Sequence, residues 1–195
     1  MSSSGKIIVI EFTTLDGVVE DPDGRSGTPF GGWAFRFGPE AIAGDKFRLG
    51  PILQTGVLLF GRRTWQHFSR LWPSRTDPFS TAMNGMPKYV VSSGAPDLDA
   101  WSNSRLLGDD LVPAARDLAR RQDVVVIGSL GVVRALAAQD AVDEYRLLTF
   151  PTFTGAGGTL FEAPVELRLV DIVVQSGVTL GTYVPVRDGS PRAEV

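Results

Sequence analysis

The sequence predicts a three-layer α-β-α domain of the α/β class, with a mostly parallel central sheet and an antiparallel hairpin at the C-terminal end. Three observations carry this. Short, continuous apolar runs rich in β-branched residues recur along the chain, as in Ile7-Ile8-Val9-Ile10 and Val124-Val125-Val126-Ile127. Such runs suit strands covered on both faces. Segments with helical spacing lie between them, so strands alternate with helices. Residues 167–175 and 179–186 form a last pair of strand-like runs joined through Ser176-Gly177, which reads as a closing hairpin.

The elements follow in order. The strand begun at Ile7 ends in the turn signal Asp16-Gly17. Residues 20–38 are dense in Gly, Pro and Asp, with Phe30, Trp33, Phe35 and Phe37 among them. A long loop of this kind is either a functional flap or a segment pinned to the core by its own aromatics. Residues 40–54 have helical spacing that Gly50-Pro51 must break. A second strand is predicted over 57–60, a helix over 62–70, another between Asp77-Pro78 and Asn84-Gly85, and a third strand over 88–92. Asp109 or Asp110 can cap a helix running to about Gln122 with Leu111, Ala115, Leu118 and Ala119 on one face. A fourth strand over 124–127, a helix over 132–138 and a fifth strand over 145–150 complete the run.

Composition narrows the chemistry. With 195 residues, 43% hydrophobic and 21% charged, the chain can bury a full core in one domain. That domain is expected over 6–186, after a disordered start (1–5) and before a flexible tail (187–195). A net charge of −3 gives no general pull toward nucleic acid or an anionic membrane. The absence of cysteine excludes disulfides and thiolate chemistry, and a single histidine excludes sites needing several imidazoles. No metal is expected. No run approaches the roughly 18 apolar residues of a membrane span, and a cytoplasmic protein is expected.

Ligands of such sheets usually sit beyond the strand C-termini, which selects residues 16–17, 61–64, 92–93 and 128–131. Gly128-Ser129-Leu130-Gly131 stands between a buried strand and a helix. Its N–H groups can hold a phosphate, or it can be an ordinary turn. Gly61-Arg62-Arg63-Thr64 also opens a helix after a strand. Its guanidinium groups suit bidentate phosphate binding, though solvated arginines at a helix start look the same.

Gly61-Arg62-Arg63-Thr64-Trp65 is similar to the Gly-Arg-x-Thr-Tyr/Trp signature of dihydrofolate reductases. Thr14-Leu15-Asp16-Gly17 resembles the Ser-Leu-Asp-Gly turn of the reductase domain in bacterial riboflavin biosynthesis enzymes, the C-terminal domain of RibD. Ile127-Gly128-Ser129-Leu130 resembles the glycine turn of both groups. Residues 142–147 (Val-Asp-Glu-Tyr-Arg-Leu) and 155–161 (Gly-Ala-Gly-Gly-Thr-Leu-Phe) match segments that follow in the same order. The register holds from about Lys6 to Val186.

The resemblance implies a dihydrofolate-reductase-like fold and an NADPH-dependent reductase of a pteridine- or pyrimidine-like heterocycle, acting as a homodimer. It places the adenosine side of NADPH at Arg62, Arg63, Thr64, Ser92 and Ser93, following Gly61. The pyrophosphate falls on Gly128, Ser129, Leu130, Gly131 and Val132, and the nicotinamide near 14–18, including Gly17. Thr14, Trp33 and Phe35 would meet the substrate. Two positions depart from the family: Gln66 stands where an acidic residue usually ends the first signature, and Ser93 where a basic residue often follows the third strand. The 2′-phosphate then falls to Arg62, Arg63 or Arg105. A reductase also needs a proton source, for which Glu11, Asp16, Glu40 and Asp45 are candidates. Glu11 stands out because it interrupts an apolar strand, where desolvation favours its protonated form. It could equally be a structural carboxyl. The alternatives to catalysis are a non-catalytic small-molecule binder and a flavin protein on the same fold.

Overall fold

A computed structural model describes residues 4–108 and 110–187 of the chain. Its strands are β1 (Ile7–Thr14), β2 (Val57–Gly61), β3 (Lys88–Val91), β4 (Ser104–Leu107), β5 (Val124–Val126), β6 (Glu144–Phe150), β7 (Leu167–Gln175) and β8 (Val178–Pro185). They join in one sheet in the order β4-β3-β2-β5-β1-β6-β8-β7. The pairs β3/β4, β2/β3, β2/β5 and β1/β5 are parallel, and β8 pairs antiparallel with both β6 and β7. The helices are α1 (Gly38–Ala43), α2 (Ile52–Thr55), α3 (Arg62–Leu71), α4 (Pro78–Gly85), α5 (Leu111–Ala119) and α6 (Leu130–Ala137). The α/β class and the closing hairpin are as the sequence predicts.

The chain divides into two compact units: residues up to Ile10 with Lys46–Val142, and Glu11–Asp45 with the residues from Asp143 onward. The first holds the parallel strands. Every residue of β2 and β5 is buried, which is why both read as unbroken apolar runs. Ile8, Ile10, Leu58, Phe60, Trp65, Met83, Val90 and Trp101 form its principal core. Within it Lys88 is fully buried. Its ammonium donates to the carbonyls of Asn84 (2.8 Å), Met86 (2.8 Å) and Ser102 (3.0 Å) and lies 4.6 Å from the Trp101 ring centroid. A buried ammonium is tolerable only with its donors satisfied in this way.

Three expectations are adjusted. β4 was not foreseen, because Ser-Arg-Leu-Leu neither alternates nor runs apolar; it forms by pairing parallel to β3 at the sheet edge. α5 stops at Ala119 instead of reaching Gln122. Asp110 occupies its N-cap position without a side-chain cap bond; Asp109 lies outside the described residues, as do 1–3 of the expected disordered start and 188–195 of the expected tail. By contrast, Asp77 caps α4 as a capping aspartate should, accepting from the Ser80 N–H at 3.1 Å.

The second unit is built on β6, β7, β8 and the far half of β1. Phe150, at the end of β6, gathers Phe12, Trp33 and Phe37 with ring centroids 5.4, 5.6 and 5.4 Å away. A β-bulge between Leu169 and Asp171 shifts the β7/β8 register.

Candidate active site

In the first unit, the two turns singled out by sequence meet. The Gly61 N–H donates to the Gly128 carbonyl at 3.3 Å, and a Cβ on Gly61 would collide with the Ser129 side chain. The peptide between Gly128 and Ser129 is cis, and Gly128 has φ 67°. α3 and α6 begin at these turns with Gly61 and Ser129 as N-caps, neither helped by a side-chain cap. The first N–H groups of both helices are therefore left without intrahelical acceptors. They border an open cleft of about 500 Å³ lined by Gly61, Arg62, Arg63, Val91, Leu111, Ser129, Leu130, Gly131 and Val132.

Arg62 and Arg63 are exposed and have no acidic partner among the described residues. Arg62 lies by the turn after β3: one of its guanidinium nitrogens sits 3.4 Å from where a Cβ on Gly94 would be. There the Ser92 hydroxyl accepts from the Gly94 N–H at 3.1 Å. Thr64 is half-buried in the first turn of α3, while Ser93 is exposed. Gly131 has open space around its Cβ position, so protein packing does not require glycine there. Free helix-terminal N–H groups, two uncommitted guanidiniums and a glycine whose smallness serves no internal contact together suit a phosphate-bearing ligand.

In the second unit, the turn after β1 is tied down by its own side chains. Thr14 Oγ1 accepts from the Val18 N–H (2.9 Å) and donates to Asp16 Oδ1 (2.5 Å). Asp16 Oδ2 accepts from the N–H groups of Gly155 (2.8 Å) and Thr154 (3.2 Å). The Thr14 hydroxyl and the Gly155 N–H hold the Asp16 carboxyl below its ordinary pKa. Asp16 is thus an anion fastening the turn to the glycine-rich segment, and the arrangement gives it an acceptor's chemistry. Gly17 takes φ 80°, and nothing fills its Cβ position. Gly157 at φ 121° has Val18 and Phe30 where a side chain would be, so that glycine is set by close approach.

Glu11 differs from Asp16. Its side chain forms no hydrogen bond or ion pair among the described residues, although it is only partly exposed, and burial pushes its pKa up from 4.5 to about 8. Within the strand, then, it carries a proton at neutral pH. Of the other acids considered, Glu40 is exposed and accepts from the Ser176 hydroxyl at 3.5 Å, and the side chain of Asp45 lies outside the described residues.

The two loop aromatics separate. Trp33 is 1% exposed, and its indole N–H donates to the Glu20 carbonyl at 2.9 Å. Its ring packs edge-on against Phe150, so it pins the loop and offers no free face. Phe35 is 53% exposed and keeps a face for stacking. Sequence reasoning did not foresee how 14–20 is laced to 152–160. Leu15 N–H donates to Thr152 O, Val19 N–H to Gly158 O, and Gly158 N–H to the Glu20 carboxylate. The only hint was a glycine turn in the first segment and a glycine-rich run in the second.

The family described as RibD C-terminal domain matches residues 5–179, while no curated protein matches the chain. Among solved structures, a protein from Shewanella sp. PV-4 assigned to riboflavin biosynthesis is 22% identical with a TM-score of 0.69, covering 93% of this chain and 99% of that one. A pyrimidine reductase-like protein of Corynebacterium diphtheriae is 13% identical (TM-score 0.64; 94% and 93% covered). Dihydrofolate reductase from Enterococcus faecalis, complexed with NADP(H) and RAB-propyl, is 18% identical (TM-score 0.57; 93% and 97% covered).

Proposed function

The chain belongs to the RibD C-terminal domain family, and from that premise we propose that it is an NADPH-dependent reductase of a pteridine- or pyrimidine-like heterocycle. The observation that carries this is the cleft where α3 and α6 start: two helix N-termini, Arg62 and Arg63 converge on it, and Gly131 leaves it open. NADPH supplies a hydride when bound. The N–H groups of Leu130 and Gly131, with Gly128, Ser129 and Val132 shaping the turn, hold its pyrophosphate. Arg62 and Arg63 hold the adenosine-side phosphate, with Thr64 and Ser92 as hydroxyl partners and Ser93 adding a third.

In the second unit Glu11 holds the proton. A neutral carboxyl at pH 7 can give up a proton as negative charge develops on a substrate nitrogen, which general-acid catalysis requires. Asp16 acts as a positioning residue, keeping Thr14 and Gly17 in their turn. Phe35 supplies the stacking surface for a flat heterocycle, and Trp33 keeps the loop that carries Phe35 folded. A homodimer belongs to the same reading.

The test is NADPH oxidation at 340 nm against a panel of oxidised pterins and of pyrimidines with a ring or ribosyl carbonyl. Turnover that falls at least tenfold in Glu11→Gln with NADPH affinity unchanged supports the assignment. Tight NADPH binding with no turnover on any of them supports the non-catalytic reading instead. A yellow protein carrying flavin would replace both.

A further inference from the structure

α3 and the turn after it carry charge of one sign only. Residues 61–76 hold four arginines, Arg62, Arg63, Arg70 and Arg75, and no aspartate or glutamate. At about 100° per residue, Ser69, Arg62, Gln66, Arg70 and Arg63 fall within an arc of about 120°, turned away from the buried Trp65 and half-buried Phe68. All four arginines are exposed. Along the helix axis Arg70 stands about 10 Å from Arg63 and about 12 Å from Arg62. Arg75 is held at the far end of α3. Its N–H donates to the Trp72 carbonyl at 3.0 Å, and its guanidinium lies 5.1 Å from the centre of the Trp72 ring, which packs on Phe68.

Elsewhere arginines are compensated. Arg120 and Arg121 pair with Asp117 (3.2 and 3.3 Å), Arg146 with Glu144 (2.7 Å) and Arg187 with Asp143 (3.2 Å). The four at α3 pair with no carboxylate among the described residues, and Asp77, the next acid along the chain, is engaged in capping α4. The helix macrodipole accounts for Arg70 in the last turn, but it opposes Arg62 and Arg63 in the first, where no acid offsets them. Helix stability therefore does not explain the row.

We propose that this row draws the cofactor onto the cleft. Arg70 and Arg75, which lie outside the cleft lining, raise the association rate of NADPH through their field and favour it over NADH by its greater charge. This rests on the reading of the cleft as a dinucleotide site and adds how the phosphorylated form is selected. A 2′-phosphate adds roughly −1.5 to −2 of charge, and steering grows with the charge of the ligand. Ser93 supplies no cation after the third strand, so selection through rate stands in for a basic contact there. The sign of the salt dependence separates this from the charge of the whole molecule. The chain carries −3, and a smeared charge of that sign repels NADPH, so that added salt would speed association. An uncompensated local row does the opposite, because the Debye length shrinks from about 30 Å at 10 mM salt to about 3 Å at 1 M.

Stopped-flow fluorescence of NADPH and NADH binding between about 10 mM and 0.5 M salt tests this in the wild type, the double variant Arg70→Gln, Arg75→Gln, and Arg70→Lys. Wild-type kon for NADPH is expected to fall as salt rises, with a shallower decline for NADH. At about 10 mM salt the double variant should lose about threefold or more in kon for NADPH and less than about twofold for NADH, with koff and melting temperature unchanged. At 0.5 M salt the two proteins should coincide. Arg70→Lys keeps the charge and should keep the wild-type rate. A wild-type rate that rises with salt overturns the proposal, and so does a double variant that matches the wild type at low salt or differs in koff. A loss in Arg70→Lys as large as in the double variant would mean a contact in place of a field, and overturns it too. Should the double variant not fold, Arg70→Gln alone and the wild-type salt slopes decide. Binding with kon unmoved removes the steering alone, whereas no binding of either dinucleotide removes the reading of the cleft as well.

Discussion

Replacing Glu11 by Gln perturbs one proton in an otherwise conserved shape, and its consequence can be worked through. The folded pKa of Glu11 is about 8 against 4.5 for the free side chain. For a carboxyl raised in the folded state, folding favours the protonated form. Its contribution is intact below pH 4.5 and is lost as pH climbs through 8. At about 1.36 kcal/mol per pH unit, the interval corresponds to roughly 4–5 kcal/mol. Because Glu11 is partly exposed, water recovers some of that, and about 3 kcal/mol is the working expectation. Urea unfolding at half-unit steps from pH 5 to 9 is the assay. The wild type should lose about 3 kcal/mol over that range relative to Glu11→Gln, most steeply between pH 5 and 8. The variant should match the wild type at pH 5 and exceed it at pH 9. Parallel curves within about 0.5 kcal/mol, which implies a pKa shift below about half a unit, would refute the protonated carboxyl, and with it the proton-donor role.

Other outcomes follow from single contacts. A Cβ at Gly131 meets no atom within 4 Å, so Gly131→Val should leave the melting temperature within about 3 °C, consistent with a near-neutral surface change. The same substitution should abolish NADPH binding by titration, because its side chain occupies the cleft. Gly61→Ala collides with Ser129 and should cost about 1–3 kcal/mol by thermal melt, as overpacking does. Lys88→Met takes the ammonium away from the carbonyls of Asn84, Met86 and Ser102 and should cost about 2–4 kcal/mol in urea unfolding. A neutral Lys88→Met would mean that those carbonyls find other donors.

The parallel strands were legible because burial on both faces leaves an apolar run that no solvent-facing alternation interrupts. Val57 to Phe60 and Val124 to Val126 are the clear cases. β4 was not, since Arg105 and Leu106 are exposed at a sheet edge and their strand state comes from pairing with β3, which a local pattern does not encode. The turns at 61–64 and 128–131 were placed by composition and order. Their meeting was hidden, because glycine advertises tolerance of close approach without naming the neighbour. Trp33 and Phe35, two residues apart in one loop, read alike in sequence and differ in the fold: one is enclosed by Phe150 and Glu20 and the other is half in water. Glu11 and Asp16 were both acids after an apolar strand start. The Thr14 hydroxyl and the N–H groups of residues 154 and 155, far along the chain, make one an anchored anion, while burial leaves the other protonated.

The claim on which the account rests is that the α3 and α6 starts hold a dinucleotide. Calorimetric titration of NADPH into the wild type, Arg62→Ala, Arg63→Ala and the double variant tests it most directly. The account predicts micromolar binding, weakened about tenfold or more by each single change, since a charge-assisted hydrogen bond is worth about 1.5–3 kcal/mol. Wild-type protein that binds neither NADPH nor NADH, or affinity unmoved by the double variant, would contradict it.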